Sequence, residues 1–398
     1  MDDFRQRVRE LLAERSLSMR AAAKAARYDI AYLSRVLNGK QSPSVQLAKA
    51  LDDLLGAKGE LVTLASGNPL DTPAVETVNR ASITDFLPDN DPLAPLKVRH
   101  GRRIGAGDVT DLAGRVHGLR LADDVLAGGD LIRPAKRELK SAVKLYREGS
   151  HTEEIGRALL SQIGELAQIA GWIASDAGLH EEAERIYRLG ISAAQQAGDR
   201  ALVGHLAGSL AYQYSNTGHT GDGVLLAQAA LETAGKDAPR KARALYLDRV
   251  AWAHTKANEA QPAMRALSEA SAALAEDSEA TGSPQYLYWV NAGELDVMES
   301  RVYTELKRPL RAVPLLREVL AQYDATHTRE LALYLSWLAV ALADANEPEE
   351  AAATAKRVIS LSADVASERT AERVKVVLHR LEEYRDVPEV REILDDAA

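Results

Sequence analysis

The sequence predicts an all-α chain in two unequal parts, a small helical head and a long array of helical hairpins. Three observations carry that reading. Residues 17–44 form a cap–helix–turn–helix pattern. From about Ile104 onward apolar residues recur at helical spacing, with no alternating strand-like run of note. A set of small residues in that region repeats about every 40 positions.

In the head, the first helix is expected from Asp3 to Arg15, with Phe4, Val8, Leu11 and Leu12 on one face. Ser18 is a good N-cap for a helix from Met19 to Ala26. Asp29 caps a second, from Ile30 to Leu37, which Asn38-Gly39 closes. Ala22, Ala23 and Ala26 then face Leu33 and Val36, and small residues there let the helices cross closely. Ile30, Ala31, Tyr32, Ser34 and Arg35 are left to protrude. Val45 to Leu55 reads as a further amphipathic helix closed by Gly56, and Leu61, Val62 and Leu64 as a last short one.

This pattern resembles the helix-turn-helix of the XRE, or lambda-repressor-like, family. The matching residues are Leu17-Ser18, Ala23, Tyr28, Tyr32-Leu33-Ser34-Arg35-Val36, Asn38-Gly39 and Pro43-Ser44. The resemblance implies a five-helix lambda-repressor-like DNA-binding domain over residues 1–65. Its recognition helix enters the major groove with its N-terminal residues at base edges. Asp29, Ile30, Ala31, Tyr32, Ser34 and Arg35 are then the readout candidates, with Arg35 for guanine or phosphate and Tyr32 for a sugar or a thymine methyl. Arg20, Lys24, Asn38, Lys40 and Ser42 would hold phosphates. Two positions depart from the family. Met19 stands where a phosphate-contacting Gln is usual. Arg27 stands where the turn usually has Gly, so that turn must take a left-handed residue or rearrange.

Residues 66–103 hold Pro69, Pro73, Pro88, Pro92 and Pro95 and read as a linker or strap. Ile83, Phe86, Leu87, Leu93 and Leu96 suggest that part of it packs on a neighbour.

Beyond it, over residues 104–398, Ala183, Gly223, Ala263, Ala312 and Ala351 align, at separations of 40, 40, 49 and 39. Twelve residues before each lies Gly171, Ala211, Ala251, Ser300 or Ala339. Four after lies a plug for the hairpin: Tyr187, Ala227, Leu267, Leu316 or Ala355. This spacing resembles the tetratricopeptide repeat (TPR), whose period is usually 34. The resemblance implies a right-handed TPR-like α-solenoid, because each hairpin must bury its apolar face on the next. Helices near 108–127 and 130–148 are expected before the stack, and residues 368–396 as its cap.

Composition narrows the function classes. The chain of 398 residues has no cysteine, so disulfides and thiolate metal sites are excluded and a reducing cytoplasm is expected. A charged Met-Asp-Asp-Phe-Arg start predicts no signal peptide, and no 18-residue uncharged apolar stretch predicts a membrane span. No phosphate-loop, zincin or nucleophile-elbow motif occurs, so neither catalysis, cofactor nor metal is expected. Residues 1–65 carry a charge of +3 and the remainder −12, which suits a protein touching nucleic acid with one end only. One weakly basic head would bind DNA poorly, and two would add phosphate contacts.

The first helix of each hairpin is expected to line the concave face. Positions 11, 15 and 18 before the aligned residues include Trp172, Tyr212, Trp252 and Arg301, then Gln168, Asp248 and Ser336, then Glu165, His205 and Glu294. Aromatic area with a few fixed polar groups is what a ligand or peptide site needs. The other reading is that Trp172 and Trp252 pack between adjacent hairpins.

Head followed by solenoid resembles XRE-type regulators with a C-terminal TPR domain, which include peptide-sensing RRNPP regulators and a large actinobacterial set. That resemblance implies a homodimer on a palindromic operator in double-stranded DNA, with a peptide or small-molecule effector in the solenoid and no role for a membrane. The alternative is a scaffold whose solenoid binds a protein partner while the head localises it.

Overall fold

The structure is a computed structural model. It describes residues 2–15, 17–26, 30–38, 45–66, 82–87, 93, 101–126, 128–276, 283–322, 328–363 and 367–397. Among the described residues there are nineteen α-helices and no β-strand beyond one isolated bridge, Arg103 with Ser150. The chain divides into two compact units, residues 1–79 and 80–398.

The first unit holds α1 (Asp2–Glu14), α2 (Met19–Ala25), α3 (Ile30–Leu37), α4 (Val45–Leu55) and α5 (Glu60–Ser66). Its core is a single apolar cluster: Phe4, Val8, Leu11 and Leu12 of α1 meet Ala22, Ala23, Leu33, Val36, Leu47, Leu51 and Leu61. Ser18 caps α2 as its sequence position predicts, Oγ accepting from the Ala21 amide at 3.2 Å. Gly56 ends α4 with φ +57°. The turn residues Arg27, Tyr28 and Asp29 lie outside the described residues, and so does the expectation of strain at Arg27.

The second unit opens with a 3-10 turn, Ile83–Phe86, whose Ile83 joins the main core together with Leu93. Phe86 and Leu87 pack against that core, so this part of the strap is seated on the helical body; Leu96 is outside the described residues. Then come α6 (Ala106–Val125) and α7 (Gly128–Glu148).

Five hairpins follow: α8 (Glu153–Asp176) with α9 (His180–Ala197), α10 (Arg200–Asn216) with α11 (Thr220–Ala234), α12 (Arg240–Lys256) with α13 (Ala260–Ala275), α14 (Ala292–Glu305) with α15 (Pro309–Gln322), and α16 (Thr328–Asp344) with α17 (Pro348–Ala363). Their first helices also pack in series, α8 on α10, α10 on α12, α12 on α14 and α14 on α16. The helices α18 (Glu368–Leu381) and α19 (Pro388–Asp396) close the run on α16 and α17.

One turn geometry recurs in all five hairpins. The residue five before each aligned small position is left-handed: Gly178, Gly218, Asn258, Lys307 and Asn346 have φ of 75°, 90°, 61°, 55° and 63°. The next amide reaches back five residues to the helix, as Leu179 to the Ala174 carbonyl and Glu347 to the Leu342 carbonyl. This is the Schellman closure, and Gly and Asn suit it because they tolerate that backbone.

The small residues sit where the helices cross. Ala183, Ala263, Ala312 and Ala351 are fully buried, as are Ala211, Ala251 and Ser300. The Tyr187 ring occupies the space over Gly171, where an added Cβ would stand 2.6 Å from it.

Candidate functional site

In the head, Arg20, Lys24, Ile30 and Asn38 are exposed, while Ser34 is half-buried. Arg20 and Lys24 lie on α2, and Ile30, Ser34 and Asn38 on α3 or its end. Ala31, Tyr32 and Arg35 lie on α3, but their side chains are outside the described set, as are Asp29, Lys40 and Ser42 altogether. Asn38, expected as a phosphate contact, makes contacts within the head. Its Nδ2 donates to Ser34 Oγ at 3.3 Å, and Arg9 Nη2 donates to the Leu37 carbonyl at 2.7 Å beside it. Arg9 so closes α3 from α1, a cation on the carbonyl end of a helix. Asp52 on α4 is buried and accepts from the Gly59 and Leu61 amides at 2.7 and 2.8 Å, fixing the entry to α5.

In the second unit, the first helices of the hairpins turn a row of aromatic rings inward. Trp172 of α8, Tyr212 of α10 and Trp252 of α12 follow one another at 5.8 and 6.1 Å between centroids. Trp337 of α16 meets Trp252 edge-on at 5.8 Å. Two adjoining cavities, of about 370 and about 410 Å³, open on this ladder. Trp172, Tyr212, Arg301, Tyr334 and Arg369 line both. All four tryptophans of the chain line one or the other.

The far end of the array returns to its beginning. Arg329 at the start of α16 donates to Asp123 Oδ1 of α6 at 3.1 Å and to the Asp123 carbonyl at 2.7 Å. It also pairs with Asp176 of α8 at 3.6 Å. Asp176 accepts from Ser367 Oγ at 3.0 Å and from the Gly128 amide at 3.1 Å. Burial works to lower the Arg329 guanidinium, but Asp123, Glu330 and Asp176 outweigh it and hold it above its ordinary value. Tyr288 closes the same seam by donating to Asp124 at 2.6 Å. The concavity is therefore closed along this seam and forms a half-open chamber.

Arginines stand against the rings. Arg249 lies 4.6 Å from the Tyr212 centroid, Arg301 4.4 Å from Trp252, Arg373 3.6 Å from Trp337 and Arg369 5.2 Å from Trp172. Each is a cation–π contact in partly dry surroundings. Arg301 Nη2 also donates to the Tyr212 hydroxyl at 2.6 Å. Burial alone would raise that hydroxyl, but Arg301, Arg369 and Arg249 pull it down to about 8. His205 stacks on Tyr286 at 4.9 Å, and burial, with Arg120 and Arg249 nearby, lowers its pKa so that it is neutral. Burial raises the Glu294 carboxyl, against the two contacts of the Tyr334 hydroxyl at 2.8 and 2.9 Å.

Of the ten residues read as groove lining, Gln168, Trp172, His205, Tyr212, Trp252, Glu294 and Arg301 line a cavity. Trp172 and Trp252 stack on Tyr212 of the neighbouring hairpin and also line the cavities. Three others do not line it. Glu165 is spent on Arg120, whose Nη1 donates to it at 2.9 Å. Asp248 is buried beside Arg249 at 3.5 Å. Ser336 is fully buried, donating to the Leu333 carbonyl and accepting from Arg373 Nε at 3.0 Å.

The sequence reading missed Arg249, Met298 and Trp337, all 14 positions before their aligned residue. That row lies one helical turn from the row at 11 and shares its face. The spacing alone would have found it. Tyr286, Tyr288 and Trp289 come from the irregular approach to the fourth hairpin, where no repeat pattern points to them.

Residues 3–65 match the family described as helix-turn-helix domain. The head is thus a helix-turn-helix DNA-binding domain. No curated protein and no solved structure matches the chain. Among the described residues no helix is long and apolar enough to cross a membrane, and no group of His, Asp and Glu could hold a metal ion.

Proposed function

We propose that this protein is a sequence-specific, cytoplasmic transcriptional regulator whose second unit is a right-handed TPR-like solenoid that senses an effector. The observation that carries it is one chain joining a helix-turn-helix domain to a chamber walled by tryptophans and buried arginines. The five Schellman turns and the small residues at each crossing support the tetratricopeptide-like reading. The weak charge of the head, +3, supports a dimer on a palindromic operator, since one copy neutralises few phosphates. An effector that draws the ends of the solenoid together would change the spacing of two heads, and half-sites tolerate only whole helical turns.

The test is selection of fragments from a genomic pool by the purified full chain. Enriched sequences should carry two inverted half-sites about one helical turn apart. Arg35→Ala should lower affinity for them by about 10- to 100-fold, the loss expected of one base contact. Equal affinity for enriched and random DNA would overturn the reading in favour of a scaffold.

A further inference from the structure

Two guanidiniums of the chamber each keep one nitrogen without a partner, although Tyr212 and Asp248 outweigh burial and hold the Arg301 cation above its ordinary value. Arg301 Nε and Arg373 Nη2 are shielded from solvent and have no hydrogen-bond partner. Both arginines lie against the same ring, Trp337, at 5.3 and 3.6 Å from its centroid. Their hydrogen bonds go to neutral groups, Tyr212 Oη and Ser336 Oγ. Among the described residues no carboxylate pairs with either, whereas Arg329 has three carboxylates around it. Asp248 and Glu305 act on them only at longer range.

Half-buried cations with shielded N–H groups and no directly paired carboxylate are costly, and a ligand that brings an anion to them relieves that cost. Burial, and after it the nearness of Arg301, lowers the Arg373 guanidinium to about 10, despite the opposing pull of Glu305. The Tyr212 hydroxyl is pulled the same way, toward its anion, by the arginines around it. The Tyr212 hydroxyl therefore reports the arginines around it, whereas the lowered Arg373 guanidinium reports chiefly its burial. The walls add a second requirement. Trp172, Trp252, Trp337 and Tyr212 offer flat apolar faces, and the adjoining cavities, about 370 and 410 Å³, are of small-molecule size.

We infer that the chamber takes a small organic anion, a flat unsaturated body bearing an oxyanion group that Arg301 and Arg373 receive. This rests on the effector-sensing reading and names its ligand class. A guanidinium fork with free N–H groups matches a carboxylate, sulfonate or phosphate, and the indole faces hold the ring that carries it.

The probe is 2-naphthoate, compared with neutral 2-naphthamide on the full chain. All four tryptophans line the chamber, so their fluorescence reads occupancy directly. Naphthoate should bind at one site per chain, at least about tenfold tighter than the amide, the ratio expected of one charge-assisted contact. Arg301→Gln and Arg373→Gln should each remove that preference. Without ligand, Arg373→Gln should also raise Tm by about 2 °C, because it removes an unbalanced buried charge. An arginine serving only structure would lower Tm instead.

Equal binding of acid and amide, or acid binding untouched by both substitutions, overturns the inference. The readout uses no DNA, so it fails separately from the regulator reading. A chain that binds naphthoate through these arginines yet prefers no DNA sinks only the latter.

Discussion

The two units bury different things. Among its described residues the first unit buries apolar side chains and one carboxylate, Asp52, whose oxygens are consumed by two amides. Its cations at Arg20 and Lys24 stay in water. The second unit buries Asp123, Asp176, Asp248, Arg249 and Arg329, and sets aromatic rings beside them. A domain that reads DNA needs its charges outside, where phosphates meet them. A unit that encloses an effector, as proposed for the second, would carry its recognition groups inside and accept the desolvation. The interior of the second unit is therefore where single substitutions should act most strongly, and the contrast can be broken there first.

The largest effect is expected at Arg329. It joins α16 to α6 and α8, and its removal strands Asp123 and Asp176 in the interior. Arg329→Ala should destabilise the second unit by about 3–5 kcal/mol, the loss typical of a buried pair cut on one side. Urea unfolding followed by tryptophan fluorescence measures it, since every tryptophan is in that unit. A loss below about 1 kcal/mol, the level of an exposed ion pair, would mean that the chamber seam is not held by this cluster.

Next is the crossing at Gly171. A Cβ there would stand 2.6 Å from the Tyr187 ring, inside contact distance. Gly171→Ala should cost about 1–3 kcal/mol through overpacking. Gly221, in the first turn of α11, has no atom within 4 Å of a built Cβ. Gly221→Ala should instead be neutral or gain up to about 1 kcal/mol. Thermal melts of the two variants make the comparison. Combining Gly171→Ala with Tyr187→Leu should recover most of the loss if the crossing is the cause.

That crossing shows what was legible in the sequence and what was not. Spacing marks Gly171 as a small residue and Tyr187 as the plug of the same hairpin, and the structure shows that the two meet. The same spacing put Trp172, Tyr212, Trp252 and Arg301 on one face. Spacing within a repeat cannot say how far the stack curls. Contacts made by the curl, such as Arg329 with Asp123 across 206 positions, were therefore out of reach. Nor can it tell a buried polar residue that faces the chamber from one spent on a neighbour. Glu165 and Asp248 failed on that point, each holding an arginine the sequence reading had not considered.

A smaller effect belongs to the first unit. Ser18 Oγ satisfies one of the free amides at the start of α2. Ser18→Ala should lower the stability of the head by about 1 kcal/mol. Native-state hydrogen exchange would show faster opening of amides along α1 to α5 and unchanged protection in α8 to α17. Equal loss in both regions would mean that the two units unfold as one, and their contrast would then be of surface only.

The smallest effect at neutral pH, and the one most specific to the chamber, is the ionisation of Tyr212. Its hydroxyl is pulled down to about 8 from an ordinary value of 10.0. A depressed acid contributes stability that is full above the unfolded-state value and is lost as pH falls through the folded-state value. The window is therefore pH 8 to 10. Wild type should gain on the order of 1 kcal/mol over Tyr212→Phe at pH 9, and nothing measurable at pH 7. Absorbance near 295 nm should show one tyrosinate forming near pH 8, and the Phe variant should lack it. Arg301→Gln should return that step toward the ordinary range, because the guanidinium that donates to the hydroxyl at 2.6 Å is then gone. A Tyr212 that titrates at or above its ordinary value of 10.0 in wild type would mean that the chamber carries no excess of positive charge. The second unit would then differ from the first in packing but not in electrostatic character.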